Sequence, residues 1–395
     1  MDTAPSLLFP QGDPSDPAYR RRCGTRSGLV GIVLNLLLCG GKLLAGWLTA
    51  SVAIMADAIN NLSDAAASVM TLVGFRIAGM EADEHHPFGH GRAEYLSGLV
   101  VSLAILLMGL EVGRAALDAL LHPKALVFSP LSTAILLLSI LVKLWLAWFN
   151  RTLGRRIGSA AMAATAADAR SDALSTTMVL LSTLAARFLH LQVDGWVGLV
   201  VAALILKAGW EAARDTLDPL LGRPMDPALA QDIDRIVLGH ENILGMHDLV
   251  YHDYGPGRAM MSFHAEVPAE GDLLVLHDLI DHIEKELRER HHIETVIHMD
   301  PVVRDERTLA MKAQVTELVW SVDDRLSIHD FRMVPGPTHT NLIFDLSVPY
   351  AVTLSEETIR RSVTEKLERL GQTHGTCYCP VFEVEHSYVA YPDKK

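Results

Sequence analysis

Cysteine is nearly missing from this sequence. Its four thiols, Cys23, Cys39, Cys377 and Cys379, are too few and too scattered among 395 residues to frame a disulfide-built fold. The pair Cys377 and Cys379 reads as reduced thiols on a strand rather than as a soft-metal site. Basic charge is also short: 34 Lys and Arg stand against 47 Asp and Glu, a net charge of -13. That balance argues against nucleic acid as a partner and, with 18 His, in favour of cations. A cleavable leader is lacking too, because residues 1–27 are polar and Arg-rich with no apolar core. The first apolar run therefore reads as an anchor that is kept. His240-Glu241 opens like a HExxH zinc-protease helix, but the second histidine is absent, which removes a membrane metalloprotease.

What is present divides in two. Half of the residues are apolar and the mean hydropathy is +0.23, in conflict with the acidity for one soluble domain. The figures agree for a membrane part joined to an acidic soluble part. The apolar residues gather before about position 215, in six runs: Gly28–Leu48, Val52–Ala78, Tyr95–Ala116, Leu131–Trp148, Ala160–Leu189 and Val193–Trp210. Each approaches or exceeds the roughly 18–20 residues a helix needs to span hydrocarbon. The fifth is rich in small residues, as expected of a helix packed inside a bundle. Residues 20–26, Arg76, Arg92, residues 151–156, Arg214 and Arg223 fall on one side if six helices alternate. The other side has little more than Lys124 and Arg187, so both termini are expected in the cytoplasm.

Two of these runs carry acids at membrane depth. Asn60 and Asp64 in the second, and Asp168 and Asp172 in the fifth, are spaced four apart. That spacing stacks both side chains on one helix face. Two such faces turned together make a four-oxygen cage, and acids seldom persist in a membrane without a function. Like charges so crowded hold a proton between them until a dication displaces it. Asp57 shares the face and reads as an entrance or packing residue. Asn35, Lys42, Glu111, Lys143 and Lys207 are also intramembrane polar residues, the lysines snorkelling or pairing with Glu111, with no part in metal binding. The loop after the second helix holds Asp83, His86 and His90 at metal-binding spacing, while Arg92 and Glu94 are expected to pair or cap the third helix.

Beyond position 217 the periodicity changes. Pro227–Leu238, His247–Tyr254, Ala259–Val267, Leu273–Arg290 and Glu294–Met299 read as helix, strand, strand, helix, strand. A degenerate second copy follows, with helices Thr308–Val322 and Ser355–Leu370 and a final strand Val381–Val389. The run HDLVYHDYGPGRAMMSFHAEVP from His247 matches HDFRMVPGPTHTNLIFDLSVP from His329 in its His-Asp start, Pro-Gly turn and Val-Pro end. The expected fold is a six-helix transmembrane bundle followed by a cytoplasmic α+β domain (αββαβ, ferredoxin-like) in tandem duplicate. Its divisions are a tail at 1–27, a membrane domain at 28–216, and soluble copies at 217–301 and 302–395.

The motifs ADAINNLSDAAAS, HHPFGHGRAEYL, ADARSDALST, LDPLLGRP and VIHMDP occur in that order between Gly28 and Pro301. In this order the chain resembles the cation diffusion facilitators, proton-coupled exporters of divalent metals. The resemblance implies a secondary transporter rather than an enzyme, with no resident cofactor. It also implies a homodimer, placed here in the plasma membrane of a bacterium. Its transport site corresponds to Asn60, Asp64, Asp168 and Asp172. Zinc-type members resemble this pattern except for a histidine at the position of Asp168. An all-oxygen site suits manganese, or iron, better than zinc, which favours imidazole nitrogen. A zinc exporter and a non-transporting metal sensor are the competing readings. The resemblance further implies a loop site at Asp83, His86 and His90, and a cytoplasmic regulatory site at His264, His277, His298 and Asp300. In the second copy Asp345 stands at the place of His264, and Glu357 near that of His277.

Overall fold

A computed structural model of the chain describes residues 9–14, 16–49, 52–122, 130–188 and 194–386. Lys124, the side chains of Asp57 and Arg187, and the end of the last expected strand lie outside the described residues. The chain divides into two compact units, 1–223 with 253–258, and 224–252 with 259–395.

Among the described residues the first unit comprises six helices, α1 (Pro17–Thr49), α2 (Val52–Ala78), α3 (Ala93–Leu121), α4 (Pro130–Ile157), α5 (Ala160–Phe188) and α6 (Asp194–Leu221). They pack mainly as α1 on α2, α3 on α6 and α4 on α5. Four of them, α1, α3, α4 and α6, are long and apolar enough to cross a membrane. Of the six expected spans, four are thus long and apolar enough among the described residues. The two that fall short, α2 and α5, are those that carry the acids and amides. Small residues let α5 sit inside the bundle: Ala161, Ala164, Ala166, Ala169 and Ala173 are all buried. Gly98 of α3 marks a close approach to α5 and α6, since an added Cβ there lies 2.7 Å from Thr216 Cγ2 and 2.8 Å from Ala161 Cα.

The N-terminal segment departs from the expected tail at 1–27. Asp16 accepts from the backbone N–H groups of Ala18 and Tyr19, and Pro17 opens α1 eleven positions ahead of Gly28. Arg20 is buried against Glu94 (3.1 Å) and donates to the Ile157 carbonyl. Glu94 therefore ties α3 to α1 rather than pairing with Arg92, whose guanidinium donates to the Asp253 carbonyl. The membrane unit also runs past 216, because α6 continues through Pro219 to Leu221.

The second unit holds two lobes with the same element order. The first comprises α7 (Pro227–Val237), β1 (Gly245–Asp253), β2 (Ala259–Pro268), α8 (Leu273–His291) and β3 (Ile293–Val302). The second comprises α9 (Glu306–Trp320), β4 (Ser327–Pro335), β5 (Thr340–Val348), α10 (Glu356–His374) and β6 (Tyr378–His386). Strand orders are β1-β2-β3 and β4-β5-β6, and in each sheet the last two strands are parallel, joined through a helix. Helix starts are capped by Asp226, Asp272, Asp305 and Ser355, each accepting from a backbone N–H of the first turn. Strand alternation puts Phe263 and Ala265, and likewise Phe344 and Leu346, into separate lobe cores.

Candidate metal sites

Three of the four expected transport residues come together. Carboxylate oxygens of Asp64, Asp168 and Asp172 lie within 4.8 Å of one another, and all three residues are buried. Helical spacing places Asp168 one turn before Asp172, and a Thr71–Thr165 hydroxyl contact at 3.1 Å joins α2 to α5 one to two turns away. Asp172 Oδ1 is buried without a hydrogen-bond partner. Asn60, one turn ahead of Asp64, is exposed on α2.

Sequence reasoning missed what holds this cluster. Lys143 of α4, 3% exposed, donates from Nζ to Asp64 Oδ2 at 2.6 Å and to Asp172 Oδ2 at 2.5 Å. Lys143 neither snorkels nor pairs with Glu111; it stands in the acid cage. With its amide turned to satisfy its neighbours, buried Asn61 donates to Asp64 Oδ2 (3.3 Å) and accepts from Lys42 Nζ (2.9 Å). Lys42 is thus also drawn inward. Lys207 faces Glu211 at 3.8 Å on the exposed side of α6.

The loop between α2 and α3 brings Asp83, His86 and His90 together. Asp83 Oδ1 lies 3.4 Å from His86 Nδ1, and Oδ2 lies 3.5 Å from His90 Nε2. Backbone N–H donation from His86 holds the exposed Asp83 carboxyl below the usual carboxylate range. Ligand atoms of the three residues fit one ion, and the loop Asx turn at Asp83 supplies the geometry.

In the first lobe, Asp300 is the hub. His264 Nδ1 lies 2.9 Å from its Oδ2, His247 Nε2 lies 3.2 Å from the same oxygen, and His298 Nε2 lies 3.3 Å from Oδ1. The β2–β3 register explains this, pairing His264 with His298 and Glu266 with Asp300 on one face. His277 is exposed on α8 and belongs to no metal-sized cluster among the described residues, so it drops out of the expected set. His247 replaces it. Its signal was legible as the His-Asp start that both copies share, but its partner Asp300 is two strands away. Burial and the neighbouring His329 ring hold the His247 imidazole below its ordinary range.

A model of the cation efflux transmembrane domain matches residues 28–221, and one of the cation efflux protein cytoplasmic domain matches 225–302. The chain is 30% identical to the cation-efflux pump FieF of Yersinia enterocolitica, over 74% of its own length and 98% of that protein. It is 29% identical to the manganese efflux system protein MneS of Bacillus subtilis, over 71% and 96%. An uncharacterized transporter of Methanocaldococcus jannaschii is 29% identical over 69% and 97%. Matched across its membrane helices and its first lobe, the chain is an integral membrane protein of the cation diffusion facilitator (cation efflux) family, a secondary transporter and not an enzyme.

Proposed function

We propose that this protein exports a divalent transition-metal ion from the cytoplasm, Mn2+ first, in exchange for protons. The carrying observation is the buried triad Asp64, Asp168 and Asp172 on facing helices, with one carboxylate oxygen unpartnered. Asn60 completes the set when α2 turns or shifts toward α5. Carboxylate and carboxamide oxygens favour a hard ion such as Mn2+ over zinc. One relative, MneS of Bacillus subtilis, is a manganese efflux system protein, which supports the same choice.

The Lys143 ammonium binds the two oxygens, of Asp64 and Asp172, that an entering dication needs. Metal and lysine are therefore exclusive occupants. Metal entry releases Nζ, and Nζ returning expels metal toward whichever face is open. A built-in competing cation keeps affinity moderate, as a transporter requires. Protons shared by the acids leave as metal binds and return as it departs.

Six helices cross the membrane in this reading, with both termini in the cytoplasm, in the inner membrane of a bacterium. The two α+β lobes are a tandem duplication, and the protein works as a homodimer. Asp83, His86 and His90 form an accessory cytoplasmic-side ion site, and His247, His264, His298 and Asp300 a regulatory one. The second cluster is rich in imidazole, which favours a zinc-responsive regulation and keeps a zinc exporter as the alternative.

Proteoliposome uptake of Mn2+, Zn2+ and Fe2+ tests the proposal. Wild type is expected to take up Mn2+ best and only with a proton gradient, Asp172→Ala to take up none, and Asp168→His to shift preference toward Zn2+. Zinc-preferring wild type unaltered by Asp168→His overturns the metal assignment, and gradient-independent flux overturns the coupling.

A further inference from the structure

A cavity lined by neither the acid nor the histidine clusters lies where α4 turns into α5. It holds about 430 Å³, and its lining includes Arg151, Arg155, Gly158, Ser159, Ala163 and Arg170. Three arginines from two helices line it, and no acid does. Arg151 and Arg155 stand four apart on α4, a spacing at which like charges repel. Arg170 comes from α5, and the charged groups that act on it are Arg151 and Arg155.

Among the described residues, none of the three arginines has an ion-pair or hydrogen-bond partner. Positions three and four away from Arg170 are Ala166, Ala167, Ala173 and Leu174. Asp168 and Asp172 lie two positions to either side, about 200° around the helix. Asp172 is bonded to Lys143 instead. Exposed arginines elsewhere are matched: Arg214 by Asp218, Arg235 by Asp232, Arg288 by Glu294 and Arg290 by Glu286. Orienting helices in a membrane calls for basic residues at the end of α4, but not for Arg170, which lies well inside α5. An arginine at such depth is costly unless something pairs with it.

We propose that this cavity binds a phosphate-bearing anion, supplied by an acidic phospholipid or by free phosphate. The planar guanidinium fork matches phosphate oxygens two at a time, and three forks converge here. The turn leaves room for the group: Gly158 takes φ 58°, and a Cβ added there meets nothing within 4 Å. Ser159 caps α5 by accepting from the Met162 N–H at 3.2 Å, so the positive end of that helix opens beside the arginines. Trp145 and Trp148, both exposed, precede Arg151 on α4, as aromatic side chains do at a membrane–water boundary. Basic pockets between membrane helices on the cytoplasmic side suit acidic headgroups. That placement rests on the six-span reading, whereas the binding itself does not. A phosphate group held between α4 and α5 relieves the repulsion of Arg151 and Arg155. It also ties the helix of Lys143 to the helix of Asp168 and Asp172.

Native mass spectrometry of the full-length protein in detergent tests this, with phosphatidylglycerol, phosphatidylcholine and inorganic phosphate as separate probes. Wild type is expected to hold one phosphatidylglycerol per chain about tenfold more tightly than phosphatidylcholine, or to bind one inorganic phosphate. The first result identifies a lipid as the source and the second a free anion. Arg151→Gln, Arg155→Gln and Arg170→Gln, all at exposed side chains, are each expected to weaken that binding about fivefold, and Arg214→Gln to leave it unchanged. Wild type that neither prefers phosphatidylglycerol nor binds phosphate overturns the proposal without any variant. Equal binding by wild type and the three variants overturns it too. Asp172→Ala is expected to keep the anion while losing transported metal, so failure at either site is read apart from the other.

Discussion

Replacing Lys143 by Met tests the central electrostatic argument. The ammonium makes two charge-assisted bonds, at 2.6 and 2.5 Å, to a pair of carboxylates in a pocket where Lys143 is 3% exposed. Each such bond is worth about 1.5–3 kcal/mol. Desolvation of the lysine offsets part of that, but removing one partner of a buried pair costs about 3–5 kcal/mol because the other charges stay behind. Lys143→Met leaves three acids, Asp64, Asp168 and Asp172, with that burden. The same energy then favours a dication. If metal no longer displaces lysine, roughly 3 kcal/mol returns to binding, a tightening of about a hundredfold in Kd.

The assays are thermal melting in detergent and Mn2+ titration calorimetry. Without metal, Lys143→Met is expected to melt well below wild type. Mn2+ at about a thousand times Kd adds about 4 kcal/mol and closes that gap. In proteoliposomes the variant binds Mn2+ more tightly yet turns over more slowly, because release lacks its competing cation. A variant that melts like wild type without metal and binds Mn2+ no tighter refutes the reasoning. So does one that folds normally and binds Mn2+ more weakly, since Lys143 then assists the ion.

Gly98→Val drives a side chain into Thr216 and Ala161 where α3, α5 and α6 meet, with an expected cost of about 1–3 kcal/mol in detergent melting, whereas Gly113→Ala, whose Cβ meets Ala202 at 3.5 Å, is expected to cost little. Arg20→Met breaks the buried pair with Glu94 and is expected to destabilise the membrane unit by about 3–5 kcal/mol, with Arg20→Met/Glu94→Gln recovering most of it in a double-mutant cycle. His247 is a base held below its ordinary 6.5, so its neutral form is favoured by folding and the stability it contributes is lost as pH falls from about 6.5. Glu385 is an acid raised to about 7, so the folded lobe binds its proton and stability falls as pH climbs from 4.5 to about 7. Melting curves of the metal-free protein across this range are expected to change slope in opposite senses in His247→Gln and Glu385→Gln, and parallel curves refute both assignments.

Much of the fold was legible because it is written in local periodicity. The bounds of α2 are those read from the apolar run, and β2 begins at Ala259 as expected. Asp168 and Asp172 of the candidate site were legible for the same reason, lying on one helix at a spacing of four, whereas Asn60, spaced four from Asp64, is exposed outside the cluster. What escaped depends on azimuth and on distance along the chain. An apolar run places Lys143 at membrane depth but does not say which way it faces, and its partners are 79 and 29 residues away. Arg20 looked like part of a solvated tail because its partner Glu94 is 74 residues on.

The two lobes show how framework and chemistry separate. Inward positions of β2 and β5 carry Phe263 and Phe344, then Ala265 and Leu346, and these fix each strand's register against its core. The intervening outward positions are free to differ, and there His264 faces His298 in one sheet while Asp345 faces Glu383 in the other. A sheet held by its alternate residues thus offers the same four side-chain positions twice and leaves the donor atoms to be chosen independently. Each copy keeps a histidine followed by a left-handed aspartate, His247-Asp248 and His329-Asp330. Opposed through the 4.4 Å stack of His247 and His329, the two faces put an imidazole-rich cluster beside a carboxylate-rich one.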